Sequence, residues 1–138
     1  MPYNSYIKLK KEGKYGLLEH KSLTEVLKPI YDWINEYEDD LFIVKSKGLY
    51  GCMKDDFEFK LKPKYDKIYA FIENRARMKK DNLYGFINTD CEVVVKPKYK
   101  YVSDYLNGFA KVKIDNNWSH VNIEGKQIIK TLFQELEE

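Results

Sequence analysis

The chain has 138 residues, carries 24 Lys and Arg against 22 Asp and Glu, and has a formal net charge of +2. Its length predicts a single domain over residues 1–138. Because 15% of the residues are aromatic and 33% are charged, a disordered or low-complexity chain is excluded. No secretory signal and no run of eighteen apolar residues is visible, so we expect a soluble cytoplasmic protein.

The first predicted element is a β-hairpin near the N-terminus. Residues 6–11 alternate between apolar and polar side chains, which is typical of a strand. Gly13 follows, and glycine tolerates the positive φ that tight hairpin turns demand. Residues 16–18 then form the second strand. The sequence therefore predicts a short antiparallel pair joined by a two-residue turn.

The same hairpin is predicted three more times, at steps of 34 or 35 residues. Each copy has Gly or Asn in its turn, and an aromatic residue opens its second strand. The turn residues are Gly13, Gly48, Asn82 and Asn116, and the aromatic pairs are Tyr15-Gly16, Tyr50-Gly51, Tyr84-Gly85 and Trp118-Ser119. A fixed period of this length is the signature of a repeat architecture.

A third strand and a proline motif complete each predicted unit. Second turns fall at 55–56, 89–90 and 124–125, and third strands at 57–61, 91–95 and 127–129. The proline motifs are Lys28-Pro29-Ile30-Tyr31-Asp32, Lys62-Pro63-Lys64-Tyr65-Asp66 and Lys96-Pro97-Lys98-Tyr99-Lys100. Because proline cannot donate to a ladder, it should mark a strand end or an edge strand.

The predicted fold is therefore all-β, with four tandem units over residues 6–40, 41–74, 75–108 and 109–138. Each unit is a three-stranded antiparallel meander with a Pro-x-Tyr-Asp connector. The units stack as a solenoid-like or partly closed array. A helical repeat of similar length is excluded, because the apolar pattern alternates at two residues. Residues 131–138 are predicted to form a short terminal helix that caps the array.

These motifs resemble the bacterial WG-repeat family, whose units carry an aromatic-Gly pair followed by a Pro-x-Tyr-Asp motif. The resemblance covers residues 6–130 and is clearest in 82–88 and 107–112. Three departures stand out: Tyr replaces Trp in three units, Ser119 replaces Gly, and Lys100 replaces the motif Asp. The resemblance implies a binding module and supplies no catalytic residues.

The sequence contains no pattern that indicates an active site, a metal site or a cofactor. His20 and His120 occupy different repeat positions, and one His without convergent partners makes no metal site. The acidic pairs 39–40 and 55–56 fall on predicted turns, where Asp is favoured for backbone reasons. Cys52 and Cys91 lack CxxC spacing, so we interpret them as two buried thiols. We predict no enzyme activity.

The tyrosines of the proline motifs have two interpretations. Tyr31, Tyr65 and Tyr99 recur every 34 residues and would suit a stacked ladder for a ligand or for unpaired bases. The favoured alternative is that each ring packs between neighbouring units, because repeat columns mainly join units together.

The charge distribution supplies the functional hypothesis. Eleven basic residues against five acidic ones make residues 60–100 a basic band. We predict a non-enzymatic protein-binding module that acts as an inhibitor, immunity or adaptor protein and binds an acidic partner. The alternative is nucleic-acid binding through the same band. Lysines on the first strand favour a monomer. The predicted contact residues are Lys62, Lys64, Arg75, Arg77, Lys79, Lys80, Lys96, Lys98, Lys100 and Tyr101.

Overall fold

The computed structural model describes residues 6–38 and 40–128, and these contain strands and turns but no helix. The chain divides into two compact units, Met1–Asp66 and Lys67–Glu138, which we call the N-terminal and C-terminal units. Each unit contains two antiparallel sheets of consecutive strands. The predicted all-β class is confirmed. The predicted helix over 131–138 lies outside the described residues.

The N-terminal unit contains sheets A and B. Sheet A has three strands in the order β1-β2-β3, and sheet B has four in the order β4-β5-β6-β7. All neighbouring strands pair antiparallel. The strands are β1 Tyr6–Lys11, β2 Lys14–Glu19, β3 Glu25–Tyr31, β4 Trp33–Tyr37, β5 Leu41–Ser46, β6 Leu49–Met53 and β7 Phe59–Tyr65.

The C-terminal unit contains sheets C and D, each with four strands. Sheet C follows the order β11-β10-β9-β8 and sheet D the order β12-β13-β14-β15. The strands are β8 Lys67–Ile72, β9 Arg75–Lys80, β10 Leu83–Asn88, β11 Val93–Tyr99, β12 Tyr101–Val102, β13 Phe109–Ile114, β14 Asn117–Asn122 and β15 Gln127–Ile128.

The predicted hairpin turns are present at the repeat positions. Gly13 and Gly48 have φ values of 81° and 85°, and Asn82 has a φ of 65°. The residue before each of these also has a positive φ, which is the pattern of a type I′ turn. The prediction from glycine and asparagine spacing is therefore confirmed for these three turns.

The glycine after each aromatic residue is required by a close backbone approach. A Cβ added to Gly16, Gly51 or Gly85 would come within 3.0 Å of a carbonyl oxygen in the next strand. The strand register shifts at the same place in all three sheets. These shifts bring the third strand over the glycine. Ser119 occupies the equivalent position in sheet D.

The proline motifs lie inside strands rather than between units. Pro29, Pro63 and Pro97 fall within β3, β7 and β11, which are the edge strands of their sheets. An edge position is compatible with proline because its missing N–H would face solvent. Two predicted third strands begin two residues later than expected, because Phe57 and Cys91 lie in turns with positive φ, and the third begins at Gln127 as predicted.

Sheets B, C and D each begin with a strand in a region that was predicted to be a connector. β4, β8 and β12 begin directly after the proline motifs and form the first strand of sheets B, C and D. The sheets therefore start eight residues before the sequence units at 41, 75 and 109. The period is as predicted, whereas the three-stranded unit is corrected to a four-stranded one in these sheets.

We call the side of each sheet that carries Lys10, Lys45, Lys79 or Lys113 its front face, and the opposite side its back face. In the N-terminal unit, the front face of sheet A packs on the back face of sheet B. Leu17 from sheet A contacts a cluster that includes Phe42, Val44 and Met53 of sheet B, all buried. Tyr6 adds edge-on ring contacts with Phe42 and Phe57.

In the C-terminal unit, the front face of sheet C packs on the back face of sheet D in the same way. Phe86 and Val95 from sheet C join Ala110, Val112 and Val121 of sheet D in one buried cluster. Tyr105 closes this cluster from the loop between β12 and β13. Its ring lies edge-on to Phe86 at a centroid distance of 4.8 Å.

The cysteines differ from their sequence interpretation. Cys52 and Cys91 are both buried, but neither is a free thiol. The interpretation of two reduced thiols is therefore wrong, and it no longer supports an expected reducing compartment.

Candidate functional site

The predicted basic band separates into residues that hold the fold together and residues that face solvent. Arg75 belongs to the first group. From β9, its Nε and Nη2 donate to the carbonyl oxygen of Ile123 in the last turn of sheet D, at 3.1 and 2.7 Å. Its Nη1 donates to the carbonyl of Asn74. The predicted contact Arg75 thus joins sheets C and D through its guanidinium group.

Arg77 is used in the same way. It lies on the front face of sheet C, where its Nε donates to Asp104 at 3.0 Å and its guanidinium lies 4.3 Å from the ring centroid of Tyr69. Arg77 is 28% exposed by side chain. Stacking on a ring combined with an ion pair leaves this group little freedom for a partner.

Glu73 also joins sheets C and D beside the arginines, and Tyr105 makes a polar contact within sheet D. The carboxylate of Glu73 accepts the backbone N–H groups of Asn107 and Gly108 at 2.7 and 3.0 Å. The hydroxyl of Tyr105 donates to the carbonyl of Asn122 at 2.7 Å. Burial raises the pKa of Tyr105 to about 12. These groups are therefore structural.

Four exposed lysines of the band lie on edge strands beside the prolines. Lys62 and Lys64 flank Pro63 on β7 of the N-terminal unit, and Lys96 and Lys98 flank Pro97 on β11 of the C-terminal unit. Lysine and proline on an edge strand discourage pairing with another sheet. The positions of these lysines thus have a structural explanation, although their charges remain exposed.

The remaining basic residues of the band have local acidic or aromatic neighbours. Lys60 pairs with Asp56 at 2.9 Å, and this contact lowers the pKa of Asp56. Lys79 stands 5.7 Å from the ring centroid of Tyr84, and Lys80 lies 3.9 Å from Asp81. Such exposed contacts contribute little to stability.

A lysine beside an aromatic ring recurs in every sheet. The hairpin register places Lys10, Lys45, Lys79 and Lys113 directly opposite the aromatic residues Tyr15, Tyr50, Tyr84 and Trp118. Each ammonium group lies 5.3 to 5.7 Å from the ring centroid. The constant distance follows from the constant turn length. In the sequence, each of these lysines precedes its aromatic residue by five positions. This spacing was not recognised from the sequence alone.

The most exposed aromatic surface of the C-terminal unit lies on sheet D. Tyr101, Lys113 and Trp118 form a row across β12, β13 and β14, and we call these three residues the aromatic row. The rings of Tyr101 and Trp118 meet edge-on at a centroid distance of 5.2 Å, and they are 47% and 50% exposed. Lys100, which precedes Tyr101, is also exposed. Of these residues, sequence analysis selected Lys100 and Tyr101.

A comparable ring pair in the N-terminal unit is more closely packed. Trp33 meets Tyr15 edge-on at a centroid distance of 5.0 Å, and the ammonium group of Lys8 lies 3.8 Å from the Trp33 ring centroid. Burial lowers the pKa of Lys8. Trp33 is 40% exposed. Its face is therefore partly covered by the chain's own lysine.

The carboxylates that the structure places in close contacts serve backbone turns. Asp32, the last residue of the first proline motif, accepts the N–H of Gly48 at 2.8 Å and a bond from Lys14, and these contacts lower its pKa. Glu19 accepts the N–H groups of Lys21 and Ser22, which lower its pKa to about 2. Both carboxylates stabilise turns.

No grouping of His, Cys, Asp and Glu within residues 6–38 and 40–128 is arranged to hold a metal ion. His20 lies exposed on a turn of the N-terminal unit, and His120 lies half-buried on β14 of the C-terminal unit. The tyrosines of the proline motifs are packed rather than open, since Tyr65 and Tyr99 are buried. These two rings are unavailable to stack on a ligand.

The family comparison agrees with the repeat pattern. A model described as "WG containing repeat" matches three consecutive segments, residues 20–50, 50–84 and 84–118, which together cover more than half of the chain. The chain therefore belongs to the WG-repeat family. This match indicates no catalytic family. No curated protein matches the chain.

Two solved structures resemble the fold at low identity. "KlHsv2 with loop 6CD replaced by a Gly-Ser linker" is 11% identical, with a TM-score of 0.48, over 91% of this chain and 47% of that one. Kluyveromyces lactis Hsv2 is 12% identical, with a TM-score of 0.44, over 87% and 42%. The chain thus spans less than half the length of either.

The described residues contain no helix with the length and apolar character needed to cross a membrane.

Proposed function

We propose that this WG-repeat chain is a protein-interaction module that binds an acidic partner protein through the aromatic row of sheet D and the lysines beside it. Exposed Tyr101 and Trp118 carry the proposal. Tyrosine and tryptophan are the residues most often found at the energetic centres of protein interfaces. Lys113 and Lys100 add positive charge at the same place, which suits an acidic partner.

We propose a narrower set of contact residues than the one expected from the sequence. Lys96, Lys98, Lys100 and Tyr101 stay in the proposal as exposed residues of the C-terminal unit. Lys62 and Lys64 stay as a separate basic patch of the N-terminal unit, and Lys79 and Lys80 stay as flanking charges. Arg75 and Arg77 leave it because their guanidinium groups already bind the chain itself.

The proposed biological role is that of an inhibitor, immunity or adaptor protein in a bacterial cytoplasm. Nucleic-acid binding through the 60–100 band loses support, because arginine is the better reader of phosphates and bases and both arginines of the band are engaged internally. A protein partner instead uses rigid aromatic anchors with charged surroundings, and the aromatic row supplies both.

The test is capture of partners from an extract of the source cell, quantified by mass spectrometry. A variant with Tyr101→Ala and Trp118→Ala should lose a specific protein that the parent chain retains. The matched control is Trp33→Ala, which removes a comparably exposed ring from the N-terminal unit. Retention of every partner by the double variant would contradict the proposal, and so would equal loss in the Trp33→Ala control.

A further inference from the structure

Sheet A has an edge that the other three sheets do not share. It contains three strands, whereas sheets B, C and D each have an additional strand beside the one that carries the repeated lysine. Among residues 6–38 and 40–128, no strand pairs with the outer edge of β1. The additional strands of sheets B, C and D therefore indicate which hydrogen bonds and side chains a strand at this edge would have.

The outward-facing main-chain groups of β1 belong to Tyr6, Lys8 and Lys10, of which Lys8 and Lys10 lie inside the strand. The two-residue turn closes on the pair Lys11 and Lys14, so Lys11, Leu9 and Ile7 exchange hydrogen bonds with β2. Residues between them point their N–H and C=O groups to the other side. Lys8 and Lys10 thus offer two donors and two acceptors at the edge.

The equivalent groups in sheets B and D are occupied. The carbonyl of Lys45 accepts the N–H of Asp32 at 2.8 Å, and the carbonyl of Lys113 accepts the N–H of Lys100 at the same distance. In sheet D, the carbonyl of Lys111 also accepts the N–H of Ser103 at 2.9 Å. The positions of Lys45 and Lys113 correspond to that of Lys10.

Lysine at these positions does not prevent strand addition. Lys45, Lys79 and Lys113 each lie directly opposite a residue of the added strand. The usual reasoning that edge lysines block pairing therefore fails at this repeat position. The lysine side chains lie beside the neighbouring aromatic rings and leave the main-chain N–H and C=O groups accessible.

The added strands share a side-chain pattern. Their second residue is a β-branched residue that is almost fully buried: Ile34, Ile68 or Val102. In sheets B and D, the residue before it is aromatic. On the back face of sheet A, Ile7 is 42% exposed. An added β-branched side chain would lie beside Leu9, on the same face as Ile7.

We propose that the outer edge of β1 binds an extended acidic segment of a partner protein as a fourth antiparallel strand. The segment carries an aromatic residue followed by Ile or Val. Lys8, Lys10 and Lys11 are exposed along the edge, and this charge favours an acidic segment. Main-chain bonds to Lys8 and Lys10 supply affinity, and the aromatic and β-branched positions supply specificity.

The test uses a labelled peptide with the sequence of residues 32–38, Asp-Trp-Ile-Asn-Glu-Tyr-Glu, titrated with the full chain by fluorescence anisotropy. The peptide copies the strand that completes sheet B. The informative variant is Lys8→Pro, which deletes an outward N–H but no bond to β2. Lys8→Ala is the matched control, since it loses the same side chain and keeps the N–H.

We expect saturable binding to the parent and to Lys8→Ala, and binding at least about tenfold weaker to Lys8→Pro, because a peptide carbonyl loses its partner. A peptide with Asp in place of Ile34 should also bind at least about tenfold more weakly. If Lys8→Pro does not fold, amide exchange of Lys8 and Lys10 in the parent gives the answer, since both should slow with bound peptide.

Three results would overturn the proposal. One is equal peptide affinity for Lys8→Pro and Lys8→Ala. Another is no binding to the parent at millimolar peptide. The third is a dimer of the chain, seen by analytical ultracentrifugation, that Lys8→Pro abolishes, because this would assign the edge to a second copy. The variants of the aromatic row should leave peptide binding unchanged, which separates this edge from the surface of the proposed function.

Discussion

The two units pack their sheets with the same geometry but with different side chains at equivalent positions. In the N-terminal unit, Tyr6 reaches from sheet A onto the rings of Phe42 and Phe57. In the C-terminal unit, Arg75 takes the place of Tyr6 and bonds to a carbonyl of sheet D. Gly125 takes the place of Phe57, with a φ of 80°. At these equivalent positions, the N-terminal unit uses aromatic rings, whereas the C-terminal unit uses a polar contact and a close approach of the backbone.

This difference shows why a count of basic residues along the sequence does not identify the exposed ones. The C-terminal unit needs polar side chains inside its interface, and both of the chain's arginines meet that need. A count of basic residues along the sequence mixes these groups with exposed edge lysines. Only the structure separates the two, since charge alone does not show which carbonyl or carboxylate lies within reach.

The largest effects on stability are expected from substitutions at the equivalent positions Phe57 and Gly125. Phe57→Ala should destabilise the N-terminal unit by about 2–3 kcal/mol, because it opens a cavity beside Tyr6 and Phe42. Gly125→Ala should cost the C-terminal unit a similar ~2–3 kcal/mol. Its new Cβ would lie 2.7 Å from Val95 Cγ2 and 2.8 Å from the Val94 carbonyl oxygen. Denaturant unfolding measures both, and a neutral Gly125→Ala would contradict the close packing.

The next largest effect is expected at Arg75, which lies at the position equivalent to Tyr6. Arg75→Met keeps much of the aliphatic volume but removes both bonds to Ile123, so we expect a loss of about 1–2 kcal/mol. Lys96→Met on the exposed edge strand is the matched control and should change stability by less than ~0.5 kcal/mol. Hydrogen exchange should accelerate in residues 117–128 in the first variant only. Equal effects of the two variants would show that Arg75 is not structural.

A smaller effect is expected at the last residue of the proline motif. Asp32 accepts the N–H of Gly48, whereas Lys100 at the equivalent position has no acceptor to offer. Asp32→Ala should lower the melting temperature of the N-terminal unit slightly, and Lys100→Asp should raise that of the C-terminal unit slightly. Thermal unfolding distinguishes the signs. A destabilised Lys100→Asp variant would argue that the motif Asp has a different role.

The smallest expected effect is a pH dependence in the first sheet. The pKa of Glu19 is lowered from 4.5 to about 2 by hydrogen bonds from Ser22 and Lys21. A lowered pKa in the folded state stabilises the fold above pH 4.5, and this stabilisation is lost as the pH falls towards 2. Glu19→Gln should therefore reduce the acid sensitivity of the turn at residues 19–24 in that window. Amide protection factors of this turn that do not change with pH between 4.5 and 2 would contradict the assignment.

Sequence alone predicts the repeat and the hairpin turns well, because these depend on local rules. Gly13 and Gly48 mark positive φ, and an aromatic residue two positions later marks the next strand. The fourth strand was missed because the Pro-x-Tyr-Asp motifs were interpreted as connectors between units, although the edge position was one of the two predicted for the prolines. Proline is tolerated on an edge strand, and a single sequence does not indicate which strand is at the edge.

The candidate site was predicted only in part, for a different reason. Tyr101 was selected for its place in the basic band, whereas Trp118 and Lys113 were missed. Their association depends on cross-strand register, which places residues 101, 113 and 118 in one row. The five-residue spacing from lysine to ring across each hairpin was the available signal. The internal contacts of Arg75 and Arg77 were not predicted, because their acceptors lie 48 and 27 residues away in sequence.

The central claim is that the arginines of the basic band are structural and that the aromatic row is the interaction surface. The most direct measurement is the amount of partner captured per mole of folded chain by two variants, Arg75→Met with Arg77→Met, and Tyr101→Ala with Trp118→Ala. The account predicts parental capture by the arginine variant, despite its lower stability, and loss of capture by the aromatic variant. Loss of capture by the folded arginine variant, with full capture by the aromatic one, would contradict it.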